Sequence, residues 1–339
     1  MSQLSKKKHT KKTCLLIAGV SFLFSSCSLD VVKLQEFQCD TFFTYVVYED
    51  HGIAATLKEK VDKLENIFSP YKEGTELYRL NKDRSGTFSD ELVECLKEAI
   101  AIQEETDGYY NPFMGKLSKE WMLFINEKRD DPLSTEAINT HLAEINSTSV
   151  SFEGNTITLN GDADIDLSGI CKGYIIDTLY EMIKDKTEYY LVNAGSSSVL
   201  LGKKMNKKDD YFYTVSFLGG EYTLLAKDTT LSTSGVNEQY RIHSDGHMYS
   251  HLINPKTGSA RVYTTREAVL LGRDGSKGDA LATAFMFMND EERLSVANKE
   301  DFKYAIYDYS ATFKGWSHMS EGLNIIPKKT NKEFDSTGN

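Results

Sequence analysis

The sequence predicts an α+β fold in a single domain, with mixed or antiparallel sheets packed against helices. Three observations carry this. Helix-period and strand-period segments are interleaved without the regular strand–helix alternation of a doubly wound sheet. Neither G-x-G-x-x-G nor G-x-x-x-x-G-K-[ST] occurs, so Rossmann and P-loop chemistry are not indicated. No internal repeat and no Pro/Gly/Ser-rich linker divides the 339-residue chain, which is long enough for one large core.

Phe42 to Glu49 is rich in aromatic and β-branched residues and predicts a strand. Ile53, Leu57, Val61, Leu64 and Phe68 then recur at steps of four, four, three and four, the spacing of one helical face. A second helix starts near Ser89, where Asp90 and Glu91 favour the positive N-terminus, and ends at Gly108. Phe113 to Ile125 predicts a further helix, and Ser134-Thr135-Glu136 opens a short one. Ser149 to Phe152 and Thr156 to Leu159 flank Gly154-Asn155, a hairpin signal. Cys171 to Lys184 is helical. Strands are expected at Tyr189 to Val192, Tyr213 to Phe217 and Tyr222 to Leu225, the last two joined around Gly219-Gly220. Glu267 to Leu271 predicts a strand, Gly278 to Met288 a helix, and Lys303 to Tyr307 with Thr312 to Trp316 a closing hairpin.

The N-terminus has the layout of a signal peptide. Lys6, Lys7, Lys8, Lys11 and Lys12 precede the apolar run Cys14 to Phe24. That run is shorter than the roughly 20 apolar residues that span a bilayer. It ends in Leu23-Phe24-Ser25-Ser26-Cys27, which resembles a bacterial lipobox and is followed by the polar Ser28-Leu29-Asp30. An ordinary signal peptide with an incidental Cys27 is the alternative; the small residues before the cysteine favour the lipoprotein. The expected organisation is a signal peptide over 1–26, a lipidated tether over 27–36, a folded domain over 37–326 and a polar, Lys-rich flexible tail over 327–339. Such a protein is extracytoplasmic, lipid-anchored to a bacterial membrane and periplasm-facing.

The formal net charge is −11 and becomes −16 once the five lysines of the signal segment are removed. No basic stripe with interleaved aromatics is present, which argues against a nucleic-acid partner. An anionic ligand would need local cations or a bound metal to reverse the field at its site. Of five cysteines, Cys39, Cys95 and Cys171 remain after Cys14 and Cys27, with no C-x-x-C, so buried thiols are expected rather than a disulfide scaffold.

Four stretches have the composition of phosphate or metal sites: DLSGICKGY (Asp166 to Tyr174), NAGSSS (Asn193 to Ser198), STSG (Ser232 to Gly235) with HLINPKTG (His251 to Gly258), and GDALATA (Gly278 to Ala284). In the last, Ser276 and Gly278 are expected to precede a helix with Asp279 in its first turn and Thr283 one turn on, on the same side. A carboxylate and a hydroxyl so stacked give two hard oxygens for Mg²⁺. Taken alone, this motif is explained more simply by Asp279 favouring the helix start and Thr283 being a half-buried polar residue. In DLSGICKGY, a turn at Gly169 could supply a third metal oxygen while Asp166 or Lys172 grips a nucleotide; a helix capped by Asp166 or Ser168 is the alternative. NAGSSS and STSG are expected as turns presenting N–H groups and hydroxyls to a phosphate. In HLINPKTG, Asn254-Pro255 begins a turn and Gly258 closes it. His251 stands just before that turn, where its near-neutral pKa suits proton abstraction, although a lone histidine is more often structural.

In this setting the chain closely resembles the FAD:protein FMN transferase (ApbE) family. The matching pieces, in the family's order, are Cys39-Asp40-Thr41; SPYKEGTELYRLNK (Ser69 to Lys82); DGYYNPFMGKLSKEW (Asp107 to Trp121); DIDLSGICKGYIID (Asp164 to Asp177); LVNAGSSS; STSG; HLINPKTG; and GDALATA. They span roughly Cys39 to Met288. The resemblance implies a T-fold-like α+β domain over 37–326 that binds FAD as substrate, with Mg²⁺ at its pyrophosphate. Carried over by position, Asp279 and Thr283 would bind the metal by side chain and Gly169 by its carbonyl. Asp166 and Lys172 would line the nucleotide, and Tyr71, Tyr109, Tyr110 and Asn111 would contact flavin or adenine. Cys39, in place of the family's common Met, and Ser234 of STSG join the cofactor-binding set, and His251 is the candidate base. The chain departs from the pattern at Asn111 and Asn254, each in place of an Asp, and at Ser196, in place of a Gly.

The implied reaction is attack of a Thr or Ser hydroxyl of an acceptor protein on the FMN-side phosphorus of FAD, with AMP leaving. The lipid tether would bring the domain to membrane electron-transfer subunits that present such hydroxyls. Two alternatives are a Mg²⁺-dependent FAD pyrophosphatase and a non-catalytic periplasmic flavin-binding lipoprotein.

Overall fold

The computed structural model describes residues 31–328, apart from 196, 207 and 209. Cys27, the signal segment and most of the expected tail fall outside them. The strands β1 (Val31–Gln38) and β2 (Thr41–Tyr48) form an antiparallel ribbon. Residues 31–36, expected as tether, are therefore part of the sheet. The reason is a two-residue alternation: Val32 and Leu34 pack on the core while Lys33 and Gln35 face solvent.

Helix α1 (Ile53–Phe68) buries the expected face of Ile53, Leu57, Val61, Leu64 and Phe68. Helix α2 (Glu76–Asp83), not foreseen within the SPYKEGTELYRLNK segment, starts at Thr75, whose hydroxyl accepts the Tyr78 N–H. The short β3 (Ser85–Thr87) precedes α3 (Asp90–Glu105), capped by Ser89 as expected. Next come α4 (Gly115–Ile125) and α5 (Thr135–Ser147), the latter capped by Ser134. The expected hairpin of β4 (Ser149–Glu153) and β5 (Thr156–Asn160) pairs with β3 in a three-stranded sheet.

Helix α6 (Cys171–Ile183) leads into β6 (Tyr190–Ala194) and β7 (Ser198–Leu201). Strands β8 (Tyr213–Phe217) and β9 (Tyr222–Ala226) form the expected hairpin, followed by β10 (Thr229–Gly235). A small sheet follows, of β11 (Tyr240–Ile242), β12 (Met248–Asn254) and β13 (Ser259–Arg261). The chain ends with β14 (Thr265–Gly272), α7 (Gly275–Phe285), α8 (Asp290–Glu300), β15 (Lys303–Tyr309), β16 (Lys314–Met319) and β17 (Ile325–Pro327).

The main sheet is antiparallel, in the order β1-β2-β6-β7-β10-β14-β15-β16. Its two faces feed two cores. On β14, Ala268 and Leu270 join the large core with α1, α6 and α7, whereas Val269 joins a smaller core with β8, β9 and β17. The fold is thus the expected α+β type.

Two expectations change. STSG is not a turn: it lies in β10, paired with β7 on one side and β14 on the other. Its small residues serve helix packing, since a Cβ on Gly278 of α7 would come 2.7 Å from Ser232 Oγ. Helix α7 also starts at Gly275, so Ser276 and Gly278 lie inside it and Asp279 falls in its second turn. Asp274 Oδ1 accepts the Lys277 N–H and sets the earlier start.

Candidate active site

Tertiary packing draws most of the singled-out residues into one cluster where α6 and α7 meet the central strands. Asp279 is buried on α7. Its Oδ1 accepts a hydrogen bond from Ser198 Oγ at 2.8 Å and its Oδ2 accepts the Gly173 N–H at 3.1 Å. One turn on, Thr283 Oγ1 lies 3.1 Å from Ser234 Oγ on β10. Gly169 closes the group: a Cβ there would sit 3.6 Å from Thr283 Oγ1 and 3.3 Å from the Tyr110 ring.

The loop carrying Gly169 and Asp166 is pinned from two sides. The Asn81 side chain of α2 donates to the Ile165 carbonyl at 2.8 Å and accepts its N–H at 2.7 Å. Arg84 bonds Asp164 and the carbonyls of Gly161 and Ala163. The Asp166 N–H donates to the Pro112 carbonyl, which ties the loop to the segment holding Tyr110. Asp166 Oδ1 accepts the Ser168 N–H in a local turn. Neither Asp166 nor Ser168 caps α6, whose N-terminus has no side-chain cap.

The electrostatics are those of a buried acid facing one base. Burial pushes the Asp279 carboxyl above its usual range, while Lys172, Ser198 and the Gly173 N–H oppose the rise. Burial pushes the half-buried Lys172 ammonium down, but the net shift is upward, with the Asp279 and Glu238 carboxylates among the groups that raise it, so it stays charged. Cys39 occupies the two-residue β1–β2 turn, where it and Asp40 both take positive φ. Burial, with Cys171, Glu65 and Asp40 adding, raises the Cys39 thiol far above its ordinary range despite Lys172.

His251 stands on β12, its ring Nδ1 3.3 Å from the Gln239 carbonyl oxygen. Burial lowers its pKa, with Lys172 adding and Gln239 and Glu238 opposing, so the imidazole is neutral at pH 7. The turn after it forms as expected: Asn254 Oδ1 accepts the Lys256 N–H, and Gly258, at φ 66°, returns its N–H to the Asn254 carbonyl. Tyr71 is exposed, and burial of its hydroxyl end with Asp166 and Asp40 nearby raises its pKa.

Not all expected ligands converge. Tyr109 and Tyr110 diverge. Tyr110 is buried beside Gly169, and its hydroxyl has no hydrogen-bond partner. Tyr109 sits apart, 3.3 Å from Glu292 Oε1 and with Lys256 Nζ 4.8 Å from its ring centre. Asn111 accepts the Phe113 N–H and lines a cavity of about 680 Å³ together with Asp107, Gly108, Pro255 and Lys256. Of NAGSSS, Ser198 reaches Asp279, whereas Ser196 lies outside the described residues. Sequence reading missed the direct contact of Gly173 with Asp279. It also missed Asp177, although its position one turn after Gly173 on α6 places both on one helical face.

The oxygens gathered here suit a hard divalent cation: one carboxylate, the Thr283 and Ser234 hydroxyls and the backbone at Gly169. Among the described residues no group of three or more His, Cys, Asp or Glu forms a metal cluster. The unpartnered Tyr110 hydroxyl adds a buried polar group on the ring beside Gly169.

The ApbE family model matches residues 39–307. Among curated relatives, an FAD:protein FMN transferase of Vibrio cholerae is 28% identical over 265 residues, covering 73% of this chain and 78% of its own. One of Haemophilus influenzae is 23% identical over 329 residues, covering 89% and 93%. Among solved structures, the flavin transferase ApbE of Vibrio cholerae superposes with a TM-score of 0.71 at 20% identity, over 89% of this chain and 98% of the other. The ApbE protein of Thermotoga maritima gives 0.73 at 23% identity, over 88% and 97%. These two structures share the fold.

Proposed function

We propose a flavin-transfer reaction for this chain, which belongs to the ApbE family. It is a transferase that takes FAD as substrate and an acceptor protein as partner, as its curated relatives' names describe. The acceptor's Ser or Thr oxygen bonds to the FMN-side phosphorus of FAD, the pyrophosphate P–O bond breaks, and AMP leaves with the bridging oxygen. FMN then remains on the acceptor through a phosphoester.

The observation that carries this reading is the single cluster of Asp279, Thr283, Ser234 and Gly169 beside Lys172. Asp279, Thr283 and the Gly169 carbonyl would hold Mg²⁺, and the bound ion would neutralise charge on the pyrophosphate. Lys172 supplies a fixed positive charge to an otherwise acidic protein. Neutral His251 takes the proton of the attacking hydroxyl, since its lowered pKa keeps it able to accept one. Ser234 offers a hydroxyl toward the phosphates, and Asp166, Cys39, Tyr71 and Tyr110 wall the nucleotide side. Asn111 lines the further cavity and Tyr109 stands against Lys256, which lines it too, so both would touch only the more distant parts of FAD.

The test is mass spectrometry of products formed from FAD, Mg²⁺ and a Thr-containing acceptor peptide. The expected result is a peptide heavier by one FMN together with an equal amount of AMP; FAD left intact overturns the assignment.

The lipobox-like LFSSC supports a lipid anchor on Cys27 and an extracytoplasmic location. Only Ser28, Leu29 and Asp30 would then separate the anchor from β1, holding the domain close to the membrane and to membrane-bound acceptors. A diacylglyceryl Cys27 in the N-terminal peptide of the membrane fraction is the expected finding.

A further inference from the structure

The N-terminus of α7 is gripped by side chains from two other helices. Asp177 of α6 accepts the Gly275 N–H on Oδ1 at 2.7 Å and the Ser276 N–H on Oδ2 at 2.8 Å. Gly173, one turn earlier on α6, donates its N–H to Asp279. Helix α6 therefore holds α7 at two points one turn apart, and the second is the proposed metal ligand. From α3, Glu98 Oε1 lies 2.7 Å from Ser276 Oγ, which is also 3.0 Å from Asp177 Oδ2 and 3.4 Å from Asp274 Oδ1.

A serine hydroxyl carries one proton, and an ionised carboxylate only accepts. The two short contacts at Ser276 cannot both be hydrogen bonds unless one of these carboxyls is protonated. A consistent chain has the Glu98 acid donating to Ser276 Oγ and Ser276 Oγ donating to Asp177.

We propose that Asp177 and Glu98 are positioning residues for Asp279, forming with Ser276 a clasp on the start of α7 that closes when the cluster holds one carboxylic proton. This role rests on the metal function proposed for Asp279. Burial raises Glu98 to about 7; Asp274 and Asp177 add to the rise, while Ser276 and Lys277 oppose it. Burial raises Asp177 to about 6, with Asp274 adding and the Gly275 and Ser276 donors opposing. On α3 itself, the buried Cys95 thiol lies within electrostatic reach of Glu98, and Glu94 stands one turn before it. The nearest cation, Lys277, is engaged by Glu300 of α8 and by Glu105 of α3, and Lys299 pairs with those same two acids. No described cation is thus placed to replace the proton at Ser276. Once Glu98 ionises, carboxylates press on a single hydroxyl and the clasp loosens.

The test uses the whole folded chain and three variants: Glu98→Gln, Glu98→Ala and Asp177→Ala. Melting temperature without metal or FAD is followed across about pH 5 to 9. Because the folded-state pKa of Glu98 is raised from 4.5, its contribution is full at low pH and is lost as pH rises through about 7. Wild type should show that loss. Glu98→Gln, whose amide donates at every pH, should lack that part of it. Mg²⁺ affinity is then read from Mg²⁺-dependent FAD binding by flavin fluorescence. Asp177→Ala and Glu98→Ala should weaken it about 10-fold or more, the usual effect of losing a group that orients a metal ligand. Glu98→Gln should weaken it less and flatten its pH dependence.

Identical melting profiles for wild type and Glu98→Gln overturn the shared proton. Unchanged Mg²⁺ affinity in the folded alanine variants, with wild type responding to Mg²⁺, overturns the positioning role alone. A wild-type protein whose FAD binding ignores Mg²⁺ overturns the metal reading, and the positioning role with it.

Discussion

Gly173 and Gly275 touch where α6 crosses α7: a Cβ on Gly173 would lie 2.1 Å from the Gly275 carbonyl oxygen. This contact lets the Gly173 N–H reach the Asp279 carboxylate. Gly173→Ala must push the helices apart. The expected cost is about 1–3 kcal/mol, as for other overpacked interiors, read by urea denaturation. A loss of Mg²⁺-dependent FAD binding larger than the stability loss explains is expected alongside.

Asp279→Asn keeps the shape but removes the charge facing Lys172. Metal-dependent FMN transfer should be abolished while the far-ultraviolet circular dichroism is retained. AMP release followed by chromatography checks this; release at the wild-type rate would exclude Asp279 as a metal ligand.

Thr283 separates hydroxyl chemistry from packing. Thr283→Ser keeps Oγ near Ser234 and should retain transfer, whereas Thr283→Val keeps the volume and should raise the Mg²⁺ concentration needed for half-maximal rate. Equal Mg²⁺ dependence in the two variants would make Thr283 structural.

His251, as the proposed base, is expected to set the acid side of the rate profile. Burial lowers its pKa below 6.5, so the basic form persists to lower pH than in free imidazole, and the rate should fall only below that value. His251→Ala should slow transfer, largely spare FAD binding and remove that acid limb. Equal losses in binding and rate would mark His251 as a binding residue.

Incubation of FAD and Mg²⁺ without any acceptor separates transfer from hydrolysis. Little free FMN is expected, because the attacking oxygen comes from a protein hydroxyl. Rapid FMN and AMP formation under these conditions would make water the natural acceptor, and unchanged FAD in both conditions would leave a flavin-binding protein without chemistry.

Much of this site was legible in the sequence because its donors lie in short runs with local geometry. The NPKTG turn forms where Asn254 and Gly258 require it, and the helical spacing of Asp279 and Thr283 survives the shift of the helix start. STSG alone does not distinguish a turn from a strand, because small hydroxyl residues suit a turn and a closely packed strand equally. Only the neighbours of Ser232, namely β7, β14 and Gly278, decide between them. Tyr109 and Tyr110 could not be told apart, since adjacent side chains diverge by an amount their backbone context sets.

Local sequence alone determined the apolar face of α1, the caps of α3 and α5, the β4–β5 and β8–β9 hairpins and the candidate oxygen donors, all of which depend on residues within a few positions of one another. Tertiary structure decided which donors meet and how α7 is held. Gly173 reaches Asp279 across 106 residues, Asp177 reaches Gly275 across 98, and Ser276 reaches Glu98 across 178. Contacts at such separations leave no periodicity in the chain; they arise because helices without Cβ atoms at their crossing can approach closely enough for one to cap the other.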